Sequence, residues 1–116
     1  MELKKEGAIA LLRFPQTDLN ESKLRPVLLI KKLPDNFNDW LVCMISTKLQ
    51  KEIPGTDEVI LKASDDFHAS GLKHESLIRI LRLAVAEEKV FAGAIGEINS
   101  ERLKRIKREI TDWLTL

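Results

Sequence analysis

Short apolar runs alternate with polar, turn-forming residues along most of this chain. Residues 8–14 form the first apolar run, which Pro15 ends, and its length suits a buried strand better than a helix. Similar runs predict further strands over residues 26–30, 40–45, 58–62, 76–83 and 92–98. The run 76–83 does not alternate cleanly, so this strand is either covered on both faces or bulged.

The segments between these strands carry residues that favour turns. Residues 16–24 predict an exposed loop, because their polar side chains compete with the hydrogen bonds of a strand. Pro54-Gly55 predicts a turn, and residues 64–66 predict a cap for one helical turn that Ser70-Gly71 ends. Glycines at 93 and 96 indicate that the last strand packs closely against another backbone.

A C-terminal amphipathic helix is the clearest element of the pattern. Its predicted N-cap is Ser100. One apolar stripe at helical spacing is formed by Leu103, Ile106, Ile110, Trp113 and Leu114. The opposite face is basic and is interpreted as solvated; it carries Arg102, Lys104, Arg105, Lys107 and Arg108.

Several short strands with short connections and one terminal helix predict a mainly β (α+β) fold, in which a small, strongly bent sheet forms a closed or nearly closed barrel. The 116 residues suffice for one domain, taken as residues 1–116, and 44% hydrophobic with 32% charged residues describes a soluble globular chain. A membrane-spanning helix needs about 20 consecutive apolar residues, and the sequence has no such run.

The net charge and the cysteine content limit the kind of binding site and the cellular compartment to be expected. The formal net charge is +1, so any nucleic-acid site must be local rather than a property of the whole surface. Cys43 is the one cysteine and lies in an apolar run, which predicts a core position and a reducing, cytoplasmic compartment. Aromatic residues make up 5% of the chain and include no tyrosine, which argues against a base-stacking platform.

The segment 14–30, FPQTDLNESKLRPVLLI, is the strongest candidate for a functional site. It is a polar loop that delivers Arg25 and Pro26 to the start of a strand. A guanidinium suits phosphate recognition, because its planar fork makes paired hydrogen bonds and stays charged at physiological pH. Taken alone, an arginine at the start of a strand is more often a solvated charge at the edge of a sheet.

The same segment begins a resemblance that covers nearly the whole chain from Gly7 onward. FPQTDLNESKLRPVLLI, then ISTK, then SGLKHESLIRILRL, and then AGAIGEI before the final helix resemble the MazF/PemK/Kid family of bacterial toxins. These proteins are the toxin halves of type II toxin-antitoxin pairs. The resemblance is most specific in the FP-x-TD to RP stretch and in the GL-x-x-x-S-x-IR stretch.

This resemblance implies an SH3-like β-barrel with a C-terminal helix, a homodimer, and a cognate antitoxin as partner. It also implies an endoribonuclease that cuts single-stranded RNA without a metal or a cofactor. In the implied reaction the ribose 2′-hydroxyl attacks the adjacent phosphate, leaving a 2′,3′-cyclic phosphate and a 5′-hydroxyl. A protein promotes such a step by alignment, by charge stabilisation and by proton transfer.

Carried over residue by residue, the resemblance implies three catalytic residues. Arg25 matches the arginine of the RP motif at the scissile phosphate, and its chemistry favours electrostatic stabilisation over acid catalysis. Ser46 stands where the family places a hydroxyl after the third strand, and Arg79 matches a second cation; strand-end capping and a structural ion pair are the respective alternatives. Substrate binding is expected from Thr17, Asp18, Lys23 and Thr47.

The proton acceptor departs from the family pattern. Many relatives carry an acid two positions beyond the Arg79 position, where this chain has Leu81, and the loop before RP has no histidine. Asp18 or Glu21 could substitute if the loop folds over the phosphate. Both histidines, His68 and His74, are interpreted as surface residues away from Arg25. The sequence therefore leaves open a second function, a catalytically degenerate barrel that binds RNA or an antitoxin.

Overall fold

The computed structural model describes residues 5–15, 22–34 and 36–116. Two short 3-10 turns, Leu49–Lys51 and Glu88–Val90, accompany the regular elements. The strands and helices are, in chain order, β1 (Ala8–Pro15), β2 (Ser22–Lys32), β3 (Asp39–Ser46), β4 (Glu58–Ile60), α1 (Phe67–Ser70), β5 (Ser76–Glu87), β6 (Phe91–Glu97) and α2 (Ser100–Leu114).

The strands form one antiparallel sheet of six strands in the order β4-β5-β3-β2-β1-β6. The mainly β class with a C-terminal helix is confirmed. The barrel is not closed, because no pairing between β4 and β6 joins the two ends of the described sheet. Neighbours in sequence are mostly neighbours in the sheet, as expected for short connections.

Both faces of the sheet are buried, and the alternation of side chains on β1 shows the division. Ile9, which is fully buried, belongs to a core cluster that also contains Ile106 and Ile110 of α2. Ala8 and Ala10 point to the other face and join a second cluster built around Trp40. In β5, Ile78, Ile80, Leu81 and Leu83 all belong to or pack against the first cluster, and a register shift between β5 and β3 accounts for the missing alternation in the sequence.

Strand β2 is longer than the sequence pattern predicted. It begins at Ser22 rather than Pro26, so the expected loop 16–24 gives way to strand in its last three residues. Arg25 therefore lies inside β2, opposite Leu12 of β1, and not at the start of the strand. Pairing with β1 outweighs the weak, local turn preference of Ser22 and Lys23.

Helix α2 begins as expected but differs in its cap and in its last turn. The N-cap is Asn99 instead of Ser100, and the Asn99 side chain accepts a hydrogen bond from the Arg102 amide at 2.8 Å. Ile106 and Ile110 are buried, as the apolar stripe predicted. Trp113 and Leu114, which the stripe also included, are 52% and 66% exposed.

Arg102 is not part of a solvated basic face. It is 7% exposed, and its guanidinium contacts Asp66 through Nε at 2.8 Å and Nη2 at 3.1 Å. Its Nη1 also donates to Glu58 at 2.8 Å, and Arg105 holds the same carboxylate from the surface. Helical periodicity could not reveal this, because the acidic partners lie elsewhere in the chain, Asp66 just before α1 and Glu58 in β4.

Asp66 is the N-cap of α1, but its side chain makes no capping hydrogen bond. Its carboxylate accepts from Arg102 and from the Asn99 amide. Burial acts to raise the pKa of Asp66, but these hydrogen bonds and the positive charge of Arg102 outweigh it and lower the pKa below its usual value. The predicted helical turn is confirmed, with Gly71 as its left-handed C-cap at φ 73°.

Gly96 confirms the prediction of close backbone packing in the last strand. A Cβ placed on Gly96 would lie 2.1 Å from the carbonyl oxygen of Ala69, and one on Gly71 would lie 2.1 Å from that of Ile95. The end of α1 and strand β6 therefore approach each other more closely than side-chain-bearing residues allow.

The core position predicted for Cys43 is also confirmed, and burial, with a smaller contribution from the negative charge of Asp57, raises its pKa to about 12. No helix in the described part of the chain is long and apolar enough to cross a membrane.

Candidate active site

The candidate site lies where β2 and β3 separate. The β2–β3 ladder ends at the Val27–Met44 pair, although both strands continue beyond it. Pro26 is the next residue of β2, and because proline has no N–H to donate, it suits a position where a ladder stops. Arg25 remains paired to Leu12 of β1, and the gap toward β3 becomes a cleft.

Two adjoining cavities occupy this gap, and we name them the loop cavity, of about 570 Å³, and the cation cavity, of about 490 Å³. Their shared wall consists of Arg25, Pro26, Ile45, Ser46 and Lys48. The loop cavity extends toward the segment between α1 and β5, with Lys23, Thr47, Lys73 and His74 among its lining residues. The cation cavity extends over Met44, Lys51, Arg79 and Arg82.

Ser46 stands at the end of β3, in the wall common to both cavities. Its Oγ accepts a hydrogen bond from the backbone amide of Lys48 at 3.0 Å. That contact fixes the position of the hydroxyl oxygen and leaves its hydrogen able to donate to another acceptor. Strand-end capping and a contact to a substrate oxygen are therefore compatible roles for the same side chain.

Arg79 lies opposite Met44 in the β3–β5 ladder and is half-buried. Its Nε is a buried nitrogen without a hydrogen-bond partner among the described residues. The described ion pairs do not include Arg79, so the structure gives no support to the structural ion pair considered from the sequence. An oxyanion entering the cation cavity would meet a guanidinium that still has hydrogen bonds to donate.

A bulge in β5 brings a second arginine into the cation cavity. Met44 pairs with Arg79 but its neighbour Cys43 pairs with Leu83, so three residues of β5 are inserted between these pairs. Residues three apart on a regular strand face opposite sides of the sheet. The insertion relaxes that rule, and Arg82 lines the same cavity as Arg79.

The positive charge of the cleft is local. The described residues that line the two cavities include no aspartate or glutamate, whereas the chain as a whole has 19 basic and 18 acidic residues. The cationic lining residues are Lys23, Arg25, Lys48, Lys51, Lys73, Arg79 and Arg82. A groove with this composition has a local positive potential that attracts anions, so the near-neutral net charge does not exclude a local polyanion site.

The structure brings together the three residues expected to be catalytic, because Arg25, Ser46 and Arg79 all line the cation cavity. Lys23 and Thr47, expected to bind substrate, line the loop cavity. Thr17 and Asp18 lie outside the described residues, as does Glu21.

Sequence reasoning missed four residues of the cleft: Lys48, Lys51, Lys73 and Arg82. Lys48 and Lys51 lie two and five residues after the end of β3, so their position after the Ser46 hydroxyl was a usable signal. Arg82 depended on the bulge and gave no such signal. His74 is exposed, as interpreted, but it lines the loop cavity together with Arg25, contrary to the expectation that it lies apart.

Leu81, the residue at the expected position of an acid, packs against the core cluster that faces α2. It is not among the lining residues of either cavity. Among the described residues there is also no group of three or more His, Cys, Asp or Glu side chains arranged to hold a metal ion.

Comparison with known proteins agrees with this architecture. The structure is similar to the Mycobacterium tuberculosis toxin MazF-mt6, with a TM-score of 0.65 and 18% sequence identity over 94% of this chain and 97% of that chain. No curated protein sequence matches the chain. The model of the PemK-like, MazF-like toxins of type II toxin-antitoxin systems matches residues 5–114. The chain therefore belongs to this toxin family.

Proposed function

We propose that this toxin is a metal-independent endoribonuclease that cuts single-stranded RNA at short sequences. The single observation that carries the proposal is the cation cavity, which Arg25, Ser46 and Arg79 line together and whose described lining contains no carboxylate. Family membership supports the same activity.

In the proposed reaction the 2′-hydroxyl of a nucleotide attacks the phosphorus on its 3′ side. The bond between O2′ and phosphorus forms while the bond between phosphorus and the 5′ oxygen of the next nucleotide breaks. Negative charge grows on the two non-bridging oxygens, and the Arg25 and Arg79 guanidiniums stabilise it by charge-assisted hydrogen bonds. The Ser46 hydroxyl donates to one of these oxygens and aligns the phosphate.

Recognition and regulation follow from the same surface. Lys48, Lys51 and Arg82 bind phosphates next to the reacting one, so that the RNA backbone lies along the cation cavity. We propose that a cognate antitoxin covers this groove with an acidic segment that folds on binding, and that two copies of the toxin form a homodimer. Both partners can be checked by the solution mass of the toxin alone and of the co-expressed pair.

The test uses purified protein, a mixed-sequence single-stranded RNA and excess EDTA. We expect fragments with 2′,3′-cyclic phosphate and 5′-hydroxyl ends. Arg25→Ala should lower the cleavage rate by about 100- to 1000-fold, the usual cost of removing one group that stabilises an oxyanion. Arg108→Ala is the matched control, because Arg108 is an exposed arginine of α2 that lines neither cavity.

Two results would reject the proposal. If the RNA stays intact under all conditions while the protein still binds it, the alternative of a non-catalytic RNA-binding module applies. If Arg25→Ala and Arg108→Ala cleave equally well, the activity does not come from this cleft.

A further inference from the structure

The described residues that line the loop cavity include a single histidine, His74. The charged described residues of this cavity are Lys23 and Arg25 from β2, Lys48 from the segment after β3, and Lys73 from the loop before β5. All four are cations and have no free lone pair to accept a proton while they are charged. His74 is the remaining titratable residue of this wall, and imidazole is the side chain suited to general-base catalysis at neutral pH.

The backbone that carries His74 is held at both ends. At its start, Gly71 adopts a left-handed conformation and packs against the Ile95 backbone so closely that no Cβ would fit. At its end, the Ser76 hydroxyl, which is buried, donates to the His74 carbonyl oxygen at 2.8 Å.

The buried Ser70 hydroxyl adds a third contact, since it accepts from the Leu72 amide at 3.1 Å and donates to the Phe67 carbonyl at 2.6 Å. A short loop with such anchors presents its side chains to the cavity from a defined position, which catalysis requires.

The next residue, Glu75, does not offer a competing carboxylate in the cavity. Its Oε2 accepts from the Lys62 amide at 3.0 Å, and Glu75 is not among the residues lining either cavity. Leu81 contributes to the core and not to the cleft. Neither Glu75 nor Leu81 therefore supplies a proton acceptor to the cleft.

We propose that His74 is the general base of the cleavage reaction, an inference that rests on the proposed ribonuclease function. A ring nitrogen of His74 takes the proton of the 2′-hydroxyl as O2′ attacks phosphorus, while Arg25 in the same cavity wall stabilises the charge on the phosphate. Water protonates the departing 5′ oxygen, and the imidazolium returns its proton to solvent, so the step consumes no net proton.

The test compares His74→Gln with His68→Gln. His68 is the matched control, because it is an exposed histidine on α1 that lines neither cavity. We expect His74→Gln to lower kcat by about 100-fold or more, in the range typical of a general base, while the affinity for an RNA with a 2′-deoxy substitution at the scissile nucleotide stays unchanged. In the wild type, the pH profile of kcat should show the ionisation of a base that must be unprotonated to act, and this ionisation should be missing from His74→Gln.

Replacing the departing 5′ oxygen of the RNA by sulfur distinguishes whether His74 acts as a base or as an acid. A thiolate leaves without protonation, so the defect of His74→Gln should persist on an RNA with a 5′-bridging sulfur. If the defect disappears on this substrate, His74 acts as an acid and the assignment as a base is wrong.

The remaining outcomes also decide the question. Equal rates and pH profiles for His74→Gln and His68→Gln overturn the inference while leaving the ribonuclease function intact. The inference is also overturned, and the ribonuclease function left intact, if Asp18→Asn or Glu21→Gln removes the ionisation from the pH profile and His74→Gln does not. A wild-type protein that never cleaves RNA overturns both the function and the inference, and an RNA-affinity loss in His74→Gln with unchanged kcat indicates binding instead of proton transfer.

Discussion

Replacing Arg102 by alanine should be one of the most destabilising single substitutions in this protein. The guanidinium supplies two hydrogen bonds to Asp66, at 2.8 and 3.1 Å, and one to Glu58 at 2.8 Å. In the intact protein Asp66 is 3% exposed, and without the guanidinium its carboxylate keeps the Asn99 amide, at 3.1 Å, as its remaining described side-chain contact. Removing one partner of a buried ion pair costs about 3–5 kcal/mol, because an uncompensated charge remains inside.

That loss is large relative to the stability of a typical domain, about 5–15 kcal/mol. Urea unfolding at neutral pH, followed by the fluorescence of the two tryptophans, measures it directly. The control is Arg105→Ala, which removes the same residue type from the same Glu58 carboxylate. The Arg105 side chain is 50% exposed, so we expect a loss of only about 0–1 kcal/mol.

A double substitution tests the mechanism rather than the size of the effect. Asp66→Ala in the Arg102→Ala background removes the stranded charge, so the double variant should be more stable than the sum of the two single losses predicts. Equal losses for Arg102→Ala and Arg105→Ala, or strict additivity with Asp66→Ala, would refute the argument that burial makes this pair important.

Three further predictions concern pH, backbone packing and thiol reactivity. Since the pKa of Asp66 is lowered in the folded protein, the contribution of Asp66 to stability is complete above the ordinary pKa of 3.8 and is lost as the pH falls through the lower folded value. Asp66→Asn should therefore flatten the acid side of a plot of the urea midpoint against pH. An unchanged acid side would contradict this. Gly96→Ala places a Cβ 2.1 Å from the Ala69 carbonyl and should destabilise the protein more than Gly55→Ala, where the new Cβ meets nothing within 4 Å and only the φ of +83° is strained; equal melting temperatures would count against the packing argument. Cys43, with its pKa raised to about 12 by burial, should resist maleimide in the folded protein and react fully in denaturant, and rapid labelling under native conditions would show that the core opens.

Periodicity identified most of the architecture because the residues concerned act locally. The runs around β1, β3 and β6 are short and apolar, and such runs form strands wherever a sheet can cover them. Gly71 ended α1 as predicted, since only glycine adopts the required left-handed conformation without strain. The bulge in β5 was one of two possibilities that its irregular alternation left open.

The errors came from contacts between distant parts of the chain. Arg102 looked like part of a solvated helix face, but its partners Asp66 and Glu58 lie 36 and 44 residues away in sequence. Helical spacing cannot report such partners. Trp113 looked like part of the buried stripe, although burial also requires a surface to pack against.

The candidate site likewise has features that local sequence determines and features that depend on contacts between distant parts of the chain. The sequence by itself determined that Arg25 follows a polar segment and precedes a proline, and the family motifs joined it to Ser46 and Arg79. Only the tertiary structure decided that these residues share one cavity, and that His74 lines the adjoining one. The physical reason is that a motif records residue types at fixed spacing, whereas the end of the β2–β3 ladder, the bulge in β5 and the anchored loop before β5 arise from pairing across the sheet.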